Sequence, residues 1–124
     1  MPTPMDIGNN RATRETFVVD VRWLAATALV QLRGELDIAS IERLRAALDE
    51  LGAPPGLVLD MRGLSFIDST GLHLLTELHE RATRDGFELR LLAPPAPADR
   101  SIRVCGLDKH LPFVADLPAD GLAA

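Results

Sequence analysis

A chain of 124 residues with 47% apolar and 25% charged side chains has the size and balance of one folded domain, which excludes wholesale disorder. Its 18 acidic residues outnumber the 13 basic ones for a net charge of −5, the wrong sign for tracking nucleic-acid phosphates or lying on an anionic membrane. The single cysteine, Cys105, excludes an internal disulfide framework, no stretch nears the ~20 apolar residues of a membrane helix, and no secretory signal opens the chain, so the expected location is the cytoplasm.

Residues 1–14 hold two prolines and the pair Asn9-Asn10 without periodicity, and read as a flexible leader. Phe17, Val19, Val21 and Trp23 then alternate with more polar neighbours, the period of a strand with one buried face. Ala28, Val30, Leu32 and Gly34 repeat the pattern, which predicts a hairpin joined through Leu24–Thr27. Trp23 is expected in core or edge-strand packing, and Gly34 at a close approach or a strand irregularity. Ile41, Leu44, Leu48 and Leu51 mark one face of a helix, with Ser40 as the expected N-cap and Gly52-Ala53-Pro54-Pro55-Gly56 as its stop.

The run Leu57-Val58-Leu59 suits a central strand covered on both faces. Gly63–Asp68 reads as a loop, and Asp68 or Ser69 opens a second helix whose inner face is Leu72, Leu75, His79 and Ala82, with Leu74 and Leu78 beside it. Phe87, Leu89 and Leu91 form another strand. After a stiff connector at Pro94–Pro97 comes a helix over about Ala98–Cys105, stopped by Gly106, then a strand within Leu111–Ala115 and a short helix over Pro118–Ala124. Strands alternating with helices imply an α/β domain with a mixed, mainly parallel sheet packed by three to four helices.

Several chemistries lack their parts. His73, His79 and His110 show no metalloprotease spacing, and Cys105, expected to pack as a small apolar side chain, has no cysteine neighbour. Phosphate-cradling glycine loops are missing, and no metal or cofactor is expected. Ser69 and His73 stand four apart on one helix face, but no third group orients the imidazole and no oxyanion site is legible, so an enzyme is not expected. The concentrated signal is the run from Asp60 through Leu72, where a buried strand leads to a helix opening on Asp68-Ser69-Thr70-Gly71. Asp68 suits a helix cap. Gly71 costs about 1 kcal/mol of helix propensity relative to alanine, and its missing side chain would let another molecule approach the adjacent backbone.

Gly34-Glu35-Leu36-Asp37 with Ser40, the strand Leu57–Asp60, and Phe66-Ile67-Asp68-Ser69-Thr70-Gly71-Leu72 resemble the STAS domain of bacterial anti-sigma factor antagonists, over about Phe17–Ala115. The resemblance implies a STAS-like single domain over residues 15–124. It implies that Ser69 is the phosphoacceptor of a cognate anti-sigma factor, a serine kinase with a GHKL-type ATPase fold. The unphosphorylated form would bind that kinase and free the sigma factor, and a serine phosphatase would restore it. Asp37, Asp68, Thr70, Gly71 and His73 become candidate partner contacts, although Asp37 also suits a plain strand end. His73 departs from the small residue usual in the family, and either hydrogen-bonds the phosphate or is an exposed histidine without a role. A STAS scaffold in another regulatory or transporter-associated assembly is the alternative.

Overall fold

The computed structural model describes residues 16–117. The expected leader and C-terminal helix, 118–124, lie outside them. Strands β1 (Val18–Leu24), β2 (Thr27–Leu36), β3 (Gly56–Ile67), β4 (Glu88–Leu92) and β5 (Phe113–Val114) form one sheet in chain order. β1 and β2 are antiparallel, and every later pairing is parallel. Helices α1 (Ile41–Glu50), α2 (Ser69–Asp85) and α3 (Ala98–Val104) make the crossovers, and a 3-10 turn at Leu107–Lys109 follows α3. The mixed, mainly parallel architecture agrees with the sequence reading.

Strand periodicity divides the core. Val30, Leu32, Leu57, Leu59, Leu89 and Leu91 face Leu44, Leu48, Leu74, Leu75, Leu78 and Ile102 from the helices. Leu29, Val58 and Leu92 point to the other face, with Leu24, Val114 and Leu117 packed on them. That second face also holds Asp60, 5% exposed. Its carboxylate accepts from Arg62 Nε and Nη2 at 2.9 and 3.0 Å, from Arg62 N at 3.0 Å and from Gln31 Nε2 at 3.4 Å. Burial pushes its pKa up, but the hydrogen bonds from Arg62 and Gln31 outweigh burial and hold it below the ordinary carboxylate value.

The sequence departs from the structure most clearly in β3. Gly63–Asp68 is not a loop, because β3 runs on to Ile67 beside β2. Register shifts fall between Gln31 and Arg33 and between Gly34 and Glu35, each giving β3 one residue more than its partner. Each extra residue flips the alternation, so Met61, Leu64 and Ile67 all reach the core at spacings of three. Gly63 makes the close approach possible, since a Cβ there would stand 2.6 Å from the Leu32 carbonyl oxygen. Gly34, at φ +105°, passes against Thr16 and Phe17, as a close-approach glycine should.

Smaller differences follow. The buried face of α2 is Gly71, Leu74, Leu75, Leu78 and Ala82, with Leu72 and His79 on its half-buried margin. Trp23 is 53% exposed on edge strand β1, the edge-strand alternative of the two expected. Cys105 is exposed, because α3 ends one residue before it and Gly106 turns the chain through φ +76°. The hairpin turns on Ala25, a non-glycine residue at φ 55°.

Candidate functional site

Parallel strands β2 and β3 end side by side, and the chain leaves each into a helix. In open α/β sheets this carboxyl end is where partners and ligands are met. Asp68 N–H donates to the Leu36 carbonyl at 3.1 Å, which fixes the start of α2 against the end of β2. Asp68 is the N-cap of α2, in extended backbone. Its Oδ1 accepts from Gly71 N at 3.0 Å, satisfying one of the free donors of the first turn. Its Oδ2 accepts from Ile38 N at 3.2 Å. One carboxylate therefore joins the two sequence elements, Gly34–Asp37 and Asp68–Gly71.

The turn before α1 is built by Asp37 and Ser40, in roles reversed from expectation. Asp37 Oδ1 accepts from Ala39 N at 3.0 Å and Ser40 N at 3.1 Å, and its carbonyl accepts from Ile41 N at 2.9 Å. Ser40 stands at the N-cap position but makes no side-chain cap bond. Its hydroxyl turns back instead, donating to the Glu35 carbonyl at 2.7 Å and accepting from Asp37 N at 3.0 Å. Asp37 thus holds the turn, which presents Ile38 at its tip.

Ser69 is exposed as the first residue of α2, and its hydroxyl bonds to no described residue. Thr70 beside it is half-buried. Gly71 is buried, which overturns the idea that its bare backbone faces an incoming molecule. A Cβ there would meet Ile67 Cγ1 at 2.7 Å and Leu36 Cγ at 3.1 Å, so the missing side chain lets α2 seat on β2 and β3. His73, with a side chain 72% exposed, turns to Glu77, Nε2 lying 3.7 Å from Oε2. Glu77 in turn accepts from Arg45 of α1 at 3.1 Å.

Two side chains at this end were missed by sequence reasoning. Ile38 is 76% exposed and Phe66 46% exposed, among the few large apolar residues left in solvent. Ile38 is tied to Asp68 through its own N–H, and Phe66 lies three residues before Ser69 on β3, paired with Glu35. Their sequence signal was an apolar residue within or beside each of the two acid-hydroxyl runs, Asp37–Ser40 and Asp68–Ser69, that no helix or strand period claims. Ile38, Phe66 and Ser69 together give an exposed surface with two apolar anchors and one free hydroxyl, bounded by Asp37 and Asp68. Such a surface suits protein docking. The imidazole of His73, one turn along α2 from Ser69, faces Glu77.

Comparison with known proteins agrees with this geometry. The STAS domain family matches residues 19–119. Anti-sigma-F factor antagonist RsfB of Mycobacterium tuberculosis is 30% identical over 97 residues, 77% of this chain and 79% of RsfB. A crystal structure of an anti-sigma factor antagonist from Mycobacterium paratuberculosis superposes with a TM-score of 0.69 at 27% identity, covering 82% of this chain and 88% of that one. The Bacillus cell fate determinant SpoIIAA in its phosphorylated form shares the fold, with a TM-score of 0.61 at 22% identity over 80% of this chain and 93% of that one. With the sheet order, the stapled carboxyl-end turn and a family match across most of its length, this chain belongs to the STAS domain family.

Proposed function

We propose that this protein is an anti-sigma factor antagonist, a binding protein and not an enzyme, switched by phosphorylation of Ser69. The unphosphorylated form binds an anti-sigma factor that is a serine kinase of GHKL-type fold, and so frees the sigma factor. The kinase phosphorylates Ser69, the complex separates, and a serine phosphatase resets the switch. One observation carries the reading: a free, exposed serine hydroxyl at a helix N-terminus, beside the exposed apolar side chains Ile38 and Phe66. The names of the mycobacterial relatives support the same role.

Charge alone can work this switch. Phosphorylation adds about −1.5 to −2 charges near neutral pH. The N-terminal end of α2 favours that charge by about 0.3–1 kcal/mol, while Asp68 opposes it, so the free fold is little changed. In a complex the docked surface would have to bury the phosphate. An uncompensated buried charge costs on the order of 3–5 kcal/mol, a loss of hundreds- to thousands-fold in affinity. In this scheme Asp37, Asp68 and Thr70 frame the docking surface. His73, one turn from Ser69, meets the phosphate only by leaving Glu77.

The test uses the wild-type chain, Ser69→Ala and Ser69→Asp as baits in lysate of the native host, followed by reconstitution with the partner that mass spectrometry identifies. The expected result is a GHKL-type kinase held by wild type and Ser69→Ala and lost by Ser69→Asp, with ATP-dependent phosphate mapping to residue 69. Equal retention of one partner by all three baits, with no phosphate on Ser69, would replace the switch with the scaffold role.

A further inference from the structure

At the end of α2 opposite Ser69, the closing turns of α1 and α2 enclose a cavity of about 180 Å³ over the start of β3. Its walls are mainly apolar, with Leu48 and Leu51 from α1, Pro54 and Leu57 around the start of β3, Leu78 from α2 and Phe87 after it. An apolar cavity of ~150 Å³ is known to hold benzene, so this one has room for a single ring or a chain of about six carbons.

Two charged side chains reach the cavity, Arg81 and Asp85. Asp85 pairs with Arg84, which does not line the cavity, its Oδ1 lying 3.3 Å from Arg84 Nε. Arg81 forms no ion pair or side-chain hydrogen bond with any described residue. Some of the carbonyls at the helix ends already have donors. Leu51 N and Gly52 N donate to Leu48 O and Asp49 O at 3.2 and 3.4 Å, and Gly86 N donates to Ala82 O at 2.9 Å. The Pro55 carbonyl nearby accepts from Glu88 N at 3.0 Å. The cavity therefore carries one guanidinium with no ion pair among the described residues, whose planar fork matches a carboxylate.

The geometry points to a binding site for a small apolar monocarboxylate, its body among Leu48, Leu57, Leu78 and Phe87 and its carboxylate on Arg81. A pocket with mostly apolar walls and few polar groups is the usual form of a small-molecule site. The site is separated from Ser69 by the length of α2, about 25 Å, and does not depend on the role proposed for that residue.

Benzoate is the probe, and benzyl alcohol its uncharged match. Each is titrated into the isotope-labelled full chain while backbone amide shifts are followed by NMR. The expected result is saturable benzoate binding with a Kd of about 1 mM or tighter, with shifts confined to Leu48–Leu57 and Leu78–Phe87. Benzyl alcohol binds there at least about tenfold more weakly. Arg81→Gln removes that preference and leaves the Tm of the unliganded protein unchanged. The inference is overturned if benzoate gives no saturable shift, if its shifts map to the Ser69 end, or if benzyl alcohol binds wild type equally well.

Discussion

Asp68 is the side chain on which the whole carboxyl end depends, so Asp68→Ala is the decisive perturbation. It removes two hydrogen bonds at once, from Gly71 N at 3.0 Å and from Ile38 N at 3.2 Å. Loss of an N-cap acceptor costs about 1 kcal/mol, within a range of ~0.5–2. The bond to Ile38 lies near solvent, where water replaces it in part, so about 0.5–1 kcal/mol is reasonable for its loss. The sum is ~1.5–2 kcal/mol, or about 5–10 °C in Tm for a domain of this size. Asp68→Asn separates the two bonds. Its single carbonyl oxygen caps α2 as well as aspartate does but cannot also hold Ile38, so the loss should be ~0.5–1 kcal/mol. Urea denaturation measures both changes, and amide hydrogen exchange at Ile38 reports the second bond directly. Exchange at Ile38 should accelerate in both variants, while Gly71 stays protected in Asp68→Asn. If Asp68→Ala falls within ~0.3 kcal/mol of wild type, or if Asn is as damaging as Ala, the two-bond staple is wrong.

Three further outcomes follow from other positions. Gly71→Ala gains about 1 kcal/mol of helix propensity but forces a Cβ to within 2.7 Å of Ile67, and overpacking of ~1–3 kcal/mol should leave it net destabilised in urea; a more stable variant would refute the packing role. Ala25→Gly relieves a side chain held at φ 55°, and after the entropy of the unfolded glycine is counted should raise stability by ~0.5 kcal/mol in thermal unfolding; a loss of 1 kcal/mol or more would contradict that turn geometry. Asp60 has a depressed folded pKa, so its contribution is present above the unfolded value of about 4 and is lost as pH falls through the lower folded value. Asp60→Asn should therefore cost stability at pH 7 and flatten the decline between about pH 5 and pH 3; a decline as steep as that of wild type would place the acid-labile group elsewhere.

Periodicity in the sequence was enough for the hairpin, the three helices and the parallel sheet, because those elements each keep one unbroken period. Reading failed where the period changed within an element. The first bulge of β3 puts Leu64 on the core side out of phase with Leu59 and Met61, and the second restores the phase at Ile67, so a continuous strand looked like a strand followed by a loop. At the site, residue types were legible and partners were not. Asp68 suits a cap by local preference alone, but its second bond crosses thirty residues to Ile38. Nothing local distinguishes Ser40 as a cap from Ser40 as the hydroxyl that fastens Asp37 to the end of β2, since both need the same residue immediately before the helix. Gly71 was misread for a similar reason, because a missing side chain looks alike whether its space is left to a partner or filled by Ile67.

The cap geometry also bears on why a charge switch at Ser69 need not move the fold. Of the free N–H groups in the first turn of α2, Gly71 N is bound by Asp68 Oδ1, and Leu72 N by the Asp68 carbonyl at 3.0 Å. The N–H groups of Ser69 and Thr70 remain as open donors at the exposed end. A phosphate on the Ser69 hydroxyl has those two donors at hand without displacing Asp68 from Gly71 or Ile38. The staple and the phosphate therefore use different donors, and both can exist in the same molecule. In the proposed switch a docked partner would have no such arrangement in reserve: it would meet Ile38 and Phe66 across the same surface and have to cover a dianion flanked by a carboxylate. The cost of phosphorylation would then fall on the complex and hardly at all on the free domain, as a reversible switch requires.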